Sequence, residues 1–285
     1  MEALYILAAG VFGALIGSFL NVVIYRTPLT LLTGWRKECE TFLRENTDVD
    51  LPEETAEDKS FNLAFPASHC PSCKKPIPAW CNIPILSYLM LKGKCLHCKT
   101  PISLRYPFVE LLTAGVTAFI YIAYSLSYEA LAVMLFSWVL IALIFIDIDH
   151  QLLPDNMTLP LLWLGLVLNS VTMFTDLKSA LYGAVFGYLS LWSVYWLFKL
   201  VTGKEGMGFG DFKLLAALGA WMGWQQLPLI IILSSLVGAI LGILNIVLSG
   251  KDKNTPIPFG PYLAIAGWIA FFWGADIQQA YLGTL

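Results

Sequence analysis

Residues 128–150 read YEALAVMLFSWVLIALIFIDIDH, an apolar run of the length that spans a hydrocarbon core about 30 Å thick, closed by Asp147, Asp149 and His150. The length and lack of charge predict a membrane helix, and the acids at its end are unexpected. A carboxylate at a bilayer centre costs about 2.5 to 3.5 kcal/mol on insertion scales, so acids near membrane helix ends are candidates for function. A second such place lies 64 residues on, where Gly206-Met207-Gly208-Phe209-Gly210-Asp211 leads into another apolar segment.

Outward from this run the pattern repeats. The 285-residue chain is 58% hydrophobic and 13% charged, which predicts an all-α polytopic membrane protein with the lipid bilayer as partner. Eight spans can be marked, near 3–25, 107–125, 128–147, 157–175, 179–199, 212–225, 227–249 and 260–282. The sixth is short. Gln225-Gln226-Leu227-Pro228 offers a polar, helix-breaking place to divide the long apolar stretch from 212 to 249 into two. The first span has no basic residue before it and Arg26 directly after it, the reverse of a secretory signal, so it is expected to be a retained anchor. A net charge of −3 and the lack of a basic patch exclude nucleic acid as a partner.

Orientation follows from the basic residues, which collect in cytoplasmic loops. With the N-terminus outside, sixteen of the seventeen Lys and Arg fall on the inner face and only Lys178 outside. Losing one span would move Lys251 and Lys253 to the wrong side. The expected organisation is a first membrane helix over 1–25, a cytoplasmic domain over 26–106 and a seven-helix membrane domain over 107–285.

The cytoplasmic domain has two parts. Residues 35–61 carry nine acids and predict a solvated helix and loop. The second part holds Cys70-Pro71-Ser72-Cys73 and Cys95-Leu96-His97-Cys98, two C-x2-C knuckles 21 residues apart. This spacing suits four thiolates around a structural zinc ion. Two disulfides or free thiols are the alternatives, and a reducing cytoplasm disfavours the disulfides. His69 and His97 adjoin the candidate ligands Cys70, Cys73, Cys95 and Cys98 and could replace one. Cys39 and Cys81 fall outside the knuckles.

In this topology Asp147 and Asp211 reach the same face of the membrane. Asp149, His150 and Asp155 lie nearby in sequence. Residues two apart on a helix point about 200° apart, so Asp147 and Asp149 cannot both face inward, and Asp147 is nearer the apolar run. Two close carboxyls titrate as a unit: one keeps its proton while the other activates water, the chemistry of aspartic proteases. Gly206, Gly208 and Gly210 lack Cβ atoms, which would permit unusual dihedrals and the close approach of an extended substrate backbone. A phosphate loop is disfavoured, because the segment lacks the Lys-Ser/Thr pair and no strand precedes it.

Four segments together resemble the type IV prepilin peptidases: Gly17 to Arg26, the paired knuckles, Asp147 to Asp155, and Gly206 to Leu214. The resemblance covers nearly the whole chain. It implies a bacterial inner-membrane aspartic endopeptidase with Asp147 and Asp211 as catalytic acids. Such an enzyme removes the basic leader of prepilins and type II secretion pseudopilins after a Gly on the cytoplasmic side. It also implies N-methylation of the new terminal residue, often Phe, from S-adenosylmethionine.

Other polar positions have two readings. Glu110 either serves substrate amine or methyl transfer, or caps a helix N-terminus. Asn21, Tyr25 and Arg26 either hold the soluble domain or leader, or, for Arg26, anchor the topology. A proton relay or transporter would also place acids in a membrane, and an assembly scaffold would also use a zinc module. A relay needs ionisable groups through the depth of the membrane rather than at one face.

Overall fold

The computed structural model describes residues 2–47, 62–249 and 258–282. Asp48, Asp50, Glu53, Glu54, Glu57, Asp58 and Lys59 of the acidic run lie outside these residues, as do Lys251, Lys253 and Pro256. Among the described residues the chain is helical, with no strand, and falls into two units, residues 1–138 and 139–285. Five helices are long and apolar enough to cross a membrane: Glu2–Asn46, Arg105–Tyr124, Tyr128–His150, Leu177–Thr202 and the segment Trp224–Leu241.

In the first unit, the first half of α1 (Glu2–Asn46) packs against α3 (Arg105–Tyr124). Small residues allow this. A Cβ on Gly13 would lie 2.6 Å from the Thr117 side chain, and one on Gly17 would lie 2.7 Å from Glu110 Cα. Such close backbone approach is the usual basis of helix association in lipid, where no hydrophobic force draws the helices together. The Thr113 and Thr117 hydroxyls bond back to Val109 and Thr113 carbonyls, both at 2.7 Å, so no buried hydroxyl is orphaned. At 45 residues α1 is about 68 Å long, more than twice the hydrocarbon thickness, so it continues well beyond the bilayer. Where it leaves, Arg26 is buried and its guanidinium donates to the carbonyls of Asn62, Leu63 and Pro66 at 3.0, 3.3 and 2.6 Å. Asn21 donates to the Tyr106 carbonyl at 3.1 Å. Both side chains tie α1 to the segment that follows it in space. Between them the small module carries a 3-10 turn, Ala79–Asn82, and α2 (Leu86–Met90).

The second unit begins within α4 (Tyr128–His150) and contains α5 (Asp155–Ser170), α6 (Leu177–Thr202), α7 (Phe209–Met222), α8 (Leu227–Ser249) and α9 (Gly260–Leu282). Its core is α7. From Asp211 to Trp221 every residue except Lys213 is buried, which matches a helix that is apolar all round. Gly183 of α6 meets Gly219 of α7 backbone to backbone, and Gly187 sits against Leu215 and Ala216. Asn169 closes the far end of α7 by donating to the Ala220 and Trp221 carbonyls at 2.8 and 3.1 Å. Its own oxygen accepts from Phe174 and Thr175. The apolar stretch does break into two helices. The break is made at Gly223, whose φ of +85 admits only a residue without Cβ comfortably, followed by the 3-10 turn Trp224–Gln226.

Candidate active site

Three helix ends of the second unit converge. Asp147 lies at the end of α4, Asp211 in the first turn of α7, and Gly260 begins α9. Asp147 is 5% and Asp211 7% exposed, and the two carboxyls are close enough to act on each other electrostatically. The helix continues through His150, so Asp147 and Asp149 point to different sides of it. Asp147 faces inward, whereas Asp149 and His150 are exposed.

Asp147 Oδ2 accepts the Gly260 backbone N–H at 3.0 Å. That N–H is one of the donors a helix start leaves without an intrahelical partner, so the carboxylate both caps α9 and is oriented by it. Pro261 follows at a first-turn position where its missing N–H costs nothing. Leu153 fills the space between the two acids' supports. A Cβ on Gly210 would lie 2.7 Å from Leu153 Cβ, and one on Gly260 would lie 2.7 Å from Asp147 Oδ2 and 3.1 Å from the Leu153 methyls. The sequence carries signals for the acids but none for these contacts, which join residues up to 113 positions apart.

The glycines before Asp211 differ from one another. None has a left-handed φ, so the unusual-dihedral reading does not hold. Gly206 abuts the Phe198 ring and Gly210 abuts Leu153, both for packing. Gly208 has ordinary extended dihedrals, and the nearest side-chain atom to a Cβ there would be Asp211 Oδ2 at 3.9 Å. It alone keeps space beside a carboxylate. The loop is held at its other end by Lys199, which bonds Tyr195 Oη at 3.2 Å and Glu205 at 2.8 Å. Asp155 is engaged elsewhere: Lys213 Nζ donates to both its carboxylate oxygens at 2.6 and 2.7 Å.

In the first unit the four sulfurs of Cys70, Cys73, Cys95 and Cys98 all lie within 4.8 Å of one another, with Cys70 Sγ and Cys98 Sγ 3.7 Å apart. A tetrahedron with Zn–S bonds of about 2.3 Å has sulfurs about 3.8 Å apart, so the donor set fits zinc. None of the six cysteines is in a disulfide. The two knuckles repeat one turn: Lys74 N–H bonds Cys70 O and Lys99 N–H bonds Cys95 O, at 2.8 and 3.1 Å, with left-handed φ at both lysines. The Thr100 hydroxyl lies 3.2 Å from Cys98 Sγ, within reach of a hydrogen bond to that sulfur. His69 and His97 are exposed and outside the cluster.

Glu110 is buried, and its Oε2 accepts the Ile85 N–H at 2.8 Å. It does not cap its own helix; the N–H it holds is that of the residue just before α2.

The chain is similar to known proteins along nearly its whole length. Residues 11–124 match the bacterial peptidase A24 N-terminal domain, and residues 134–243 match the type IV leader peptidase family. A prepilin leader peptidase/N-methyltransferase of Stutzerimonas stutzeri is 55% identical over 98% of this chain and 94% of its own length. Proteins of the same name from Pseudomonas aeruginosa and Legionella pneumophila are 54% and 45% identical, over 98% and 97% of the chain and 93% and 94% of their lengths. No solved structure matches. By matches across both units and identity along nearly its whole length, the chain belongs to the type IV leader peptidase family.

Proposed function

We propose that the chain is an intramembrane aspartic endopeptidase and N-methyltransferase of the bacterial inner membrane. It cleaves the leader of type IV prepilins and type II secretion pseudopilins after Gly, then methylates the new N-terminal residue. The single observation that carries the cleavage reading is the pairing of two buried carboxyls, Asp147 and Asp211, at one end of the second unit. A relay through the membrane would need such groups along its depth.

The chemistry follows from the pair. The charged member takes a proton from water as the oxygen attacks the scissile carbonyl carbon. The neutral member donates a hydrogen bond to the carbonyl oxygen and then protonates the departing amine. Gly260 N–H fixes one oxygen of Asp147 and so the plane of that carboxyl, and the space at Gly208 admits an extended backbone beside Asp211. S-adenosylmethionine is the methyl-donating substrate of the second step. Zinc bound by Cys70, Cys73, Cys95 and Cys98 is structural, because four thiolates leave no position for water.

The topology in this reading has eight crossings, with α5, α7 and α9 added to the five long apolar helices. The N-terminus is periplasmic. The domain over 26–106 and the acids face the cytoplasm, where a substrate's apolar helix rests in the bilayer and presents its leader junction. The domains in this reading are the membrane part of the first helix over 1–25, the cysteine-bearing domain over 26–106 and the remaining membrane helices over 107–285.

Purified protein in lipid nanodiscs, incubated with a prepilin with and without S-adenosylmethionine and followed by mass analysis, is expected to show leader loss in both cases and a methyl gain only with the donor. Leader removal that persists in both Asp147→Asn and Asp211→Asn sinks the catalytic assignment. Elemental analysis is expected to find about one zinc per chain, and to find none in Cys73→Ser.

A further inference from the structure

The small helix α2 is inside out for a water-soluble module. Leu86, Leu89 and Met90 occupy positions i, i+3 and i+4, one face of the helix, and are 60%, 64% and 75% exposed. Ser87, on the flank of that face, is buried, and Tyr88, on the opposite side, turns its hydroxyl inward to the Ile102 carbonyl at 3.2 Å. An apolar face directed outward over a polar one directed inward implies surroundings other than water.

The depth of this face is fixed by two bonds within the first unit. Glu110 of α3 receives the Ile85 N–H, and Ser18 of α1 donates to the Asn82 carbonyl at 3.3 Å. Glu110 lies five residues past Arg105, the basic residue at the start of a membrane-length helix. Five residues of helix are about 7.5 Å, which places the 82–86 turn below the level of Arg105 and within the 5 to 10 Å, roughly, that interfacial helices penetrate. Ile85 holds a left-handed φ of +61, costly for a β-branched residue, so the turn is kept there by its partners rather than by its own preference. Leu104, just before α3, and Phe108 and Leu111 within it form an exposed apolar stripe over the same depth. Lys92 and Lys94 follow α2 directly and are exposed, as expected of residues that meet anionic headgroups.

We propose that α2 is an interfacial anchor: Leu86, Leu89 and Met90 insert among the phospholipid acyl chains of the leaflet from which α3 enters, and Lys92 and Lys94 lie at its headgroups. The four-cysteine module is then fastened to the membrane surface by its own side chains as well as by the helices on either side of it. The occupant is lipid because the face lies at lipid depth and continues the exposed stripe of a membrane-length helix.

The test uses the full chain in vesicles of phosphatidylethanolamine and phosphatidylglycerol. The photoreactive residue p-benzoylphenylalanine replaces Leu89, Phe108 (membrane control) or Lys75 (aqueous control, in the first knuckle) in turn. After irradiation, intact mass is expected to show phospholipid adducts at position 89 comparable to those at 108 and at least about tenfold above those at 75. Glu110→Ala is expected to lower the adducts at 89 and not at 108, and Glu110→Gln, which keeps an acceptor oxygen, is expected to retain them. Adducts at 89 no more abundant than at 75, or adducts to an added prepilin in place of lipid, overturn the proposal.

Discussion

Both units bury carboxyl groups near helix ends, and they put them to different use. In the first unit Glu110 accepts a backbone N–H from a turn 25 residues away. A donor that would otherwise be orphaned is satisfied and the local structure gains. In the second unit Asp147 also accepts a backbone N–H, yet it lies near a second buried acid, Asp211, and the two cannot both ionise cheaply. Bringing two acids together in a low dielectric does nothing for stability. A buried acid aimed at backbone is explained by the fold, and a buried acid aimed at another acid is explained by chemistry.

The largest expected effect tests that contrast directly. Asp147→Asn and Asp211→Asn should each lower the rate of leader removal by about a thousandfold or more, within the range for loss of a positioned acid or base. Their unfolding midpoints in detergent should equal or exceed the parent's, because an ionisable group no longer has to be buried beside a second acid. A variant that loses stability in proportion to activity would show that the pair is structural, like Glu110.

Next in size is Gly260→Ala. Its Cβ would stand 2.7 Å from Asp147 Oδ2 and 3.1 Å from Leu153, so the carboxyl must shift, and displacement of a reacting group by about 1 Å costs about a hundredfold in rate. Gly208→Ala meets nothing closer than 3.9 Å and should leave the unfolding midpoint unchanged. If it also leaves the Michaelis constant for prepilin unchanged, the space there is not used by substrate.

The acids were legible in the sequence because charge is scarce in this chain, so each acid beside an apolar run stands out. Helical phase then separated Asp147 from Asp149, which the structure places on the buried and exposed sides. The thiolate cluster was legible because C-x2-C spacing forces two sulfurs onto one turn. The supports were not. Gly260 and Leu153 act on Asp147 and Gly210 through tertiary contacts that no local spacing encodes, and Gly260 reads in the sequence only as the start of the last span. The length of α1 was also hidden. Its apolar character ends near Tyr25, but Pro28 interrupts only one turn and the charged residues beyond it are good helix formers, so the helix runs on to Asn46.

Glu110→Ala comes third and reads the other side of the contrast. It leaves the Ile85 N–H without its acceptor, at a cost of about 1 to 3 kcal/mol for a buried donor. The expected result is an earlier unfolding midpoint, with cleavage by the folded fraction unchanged, since the residue belongs to the unit without the acid pair. Loss of methylation alone, with stability intact, would assign Glu110 to chemistry and erase the distinction drawn between the two kinds of buried acid.

The smallest effect belongs to a carboxylate between these cases. Asp155 begins α5 with its side chain 56% exposed, and its partner Lys213 is the one residue of α7 between Asp211 and Trp221 that is not buried. The bond has two short contacts, but it is open to water, and exposed pairs contribute about 0 to 1 kcal/mol. Lys213→Met should therefore move the unfolding midpoint little, and less at high salt, where the parent pair is already screened. Lys213 is two residues from Asp211, on the same short helix, and its tether to α5 fixes how that helix begins. If activity falls severalfold while stability does not, the pair sets the approach of Asp211 to Asp147, and an exposed ion pair contributes to function through geometry rather than through binding energy.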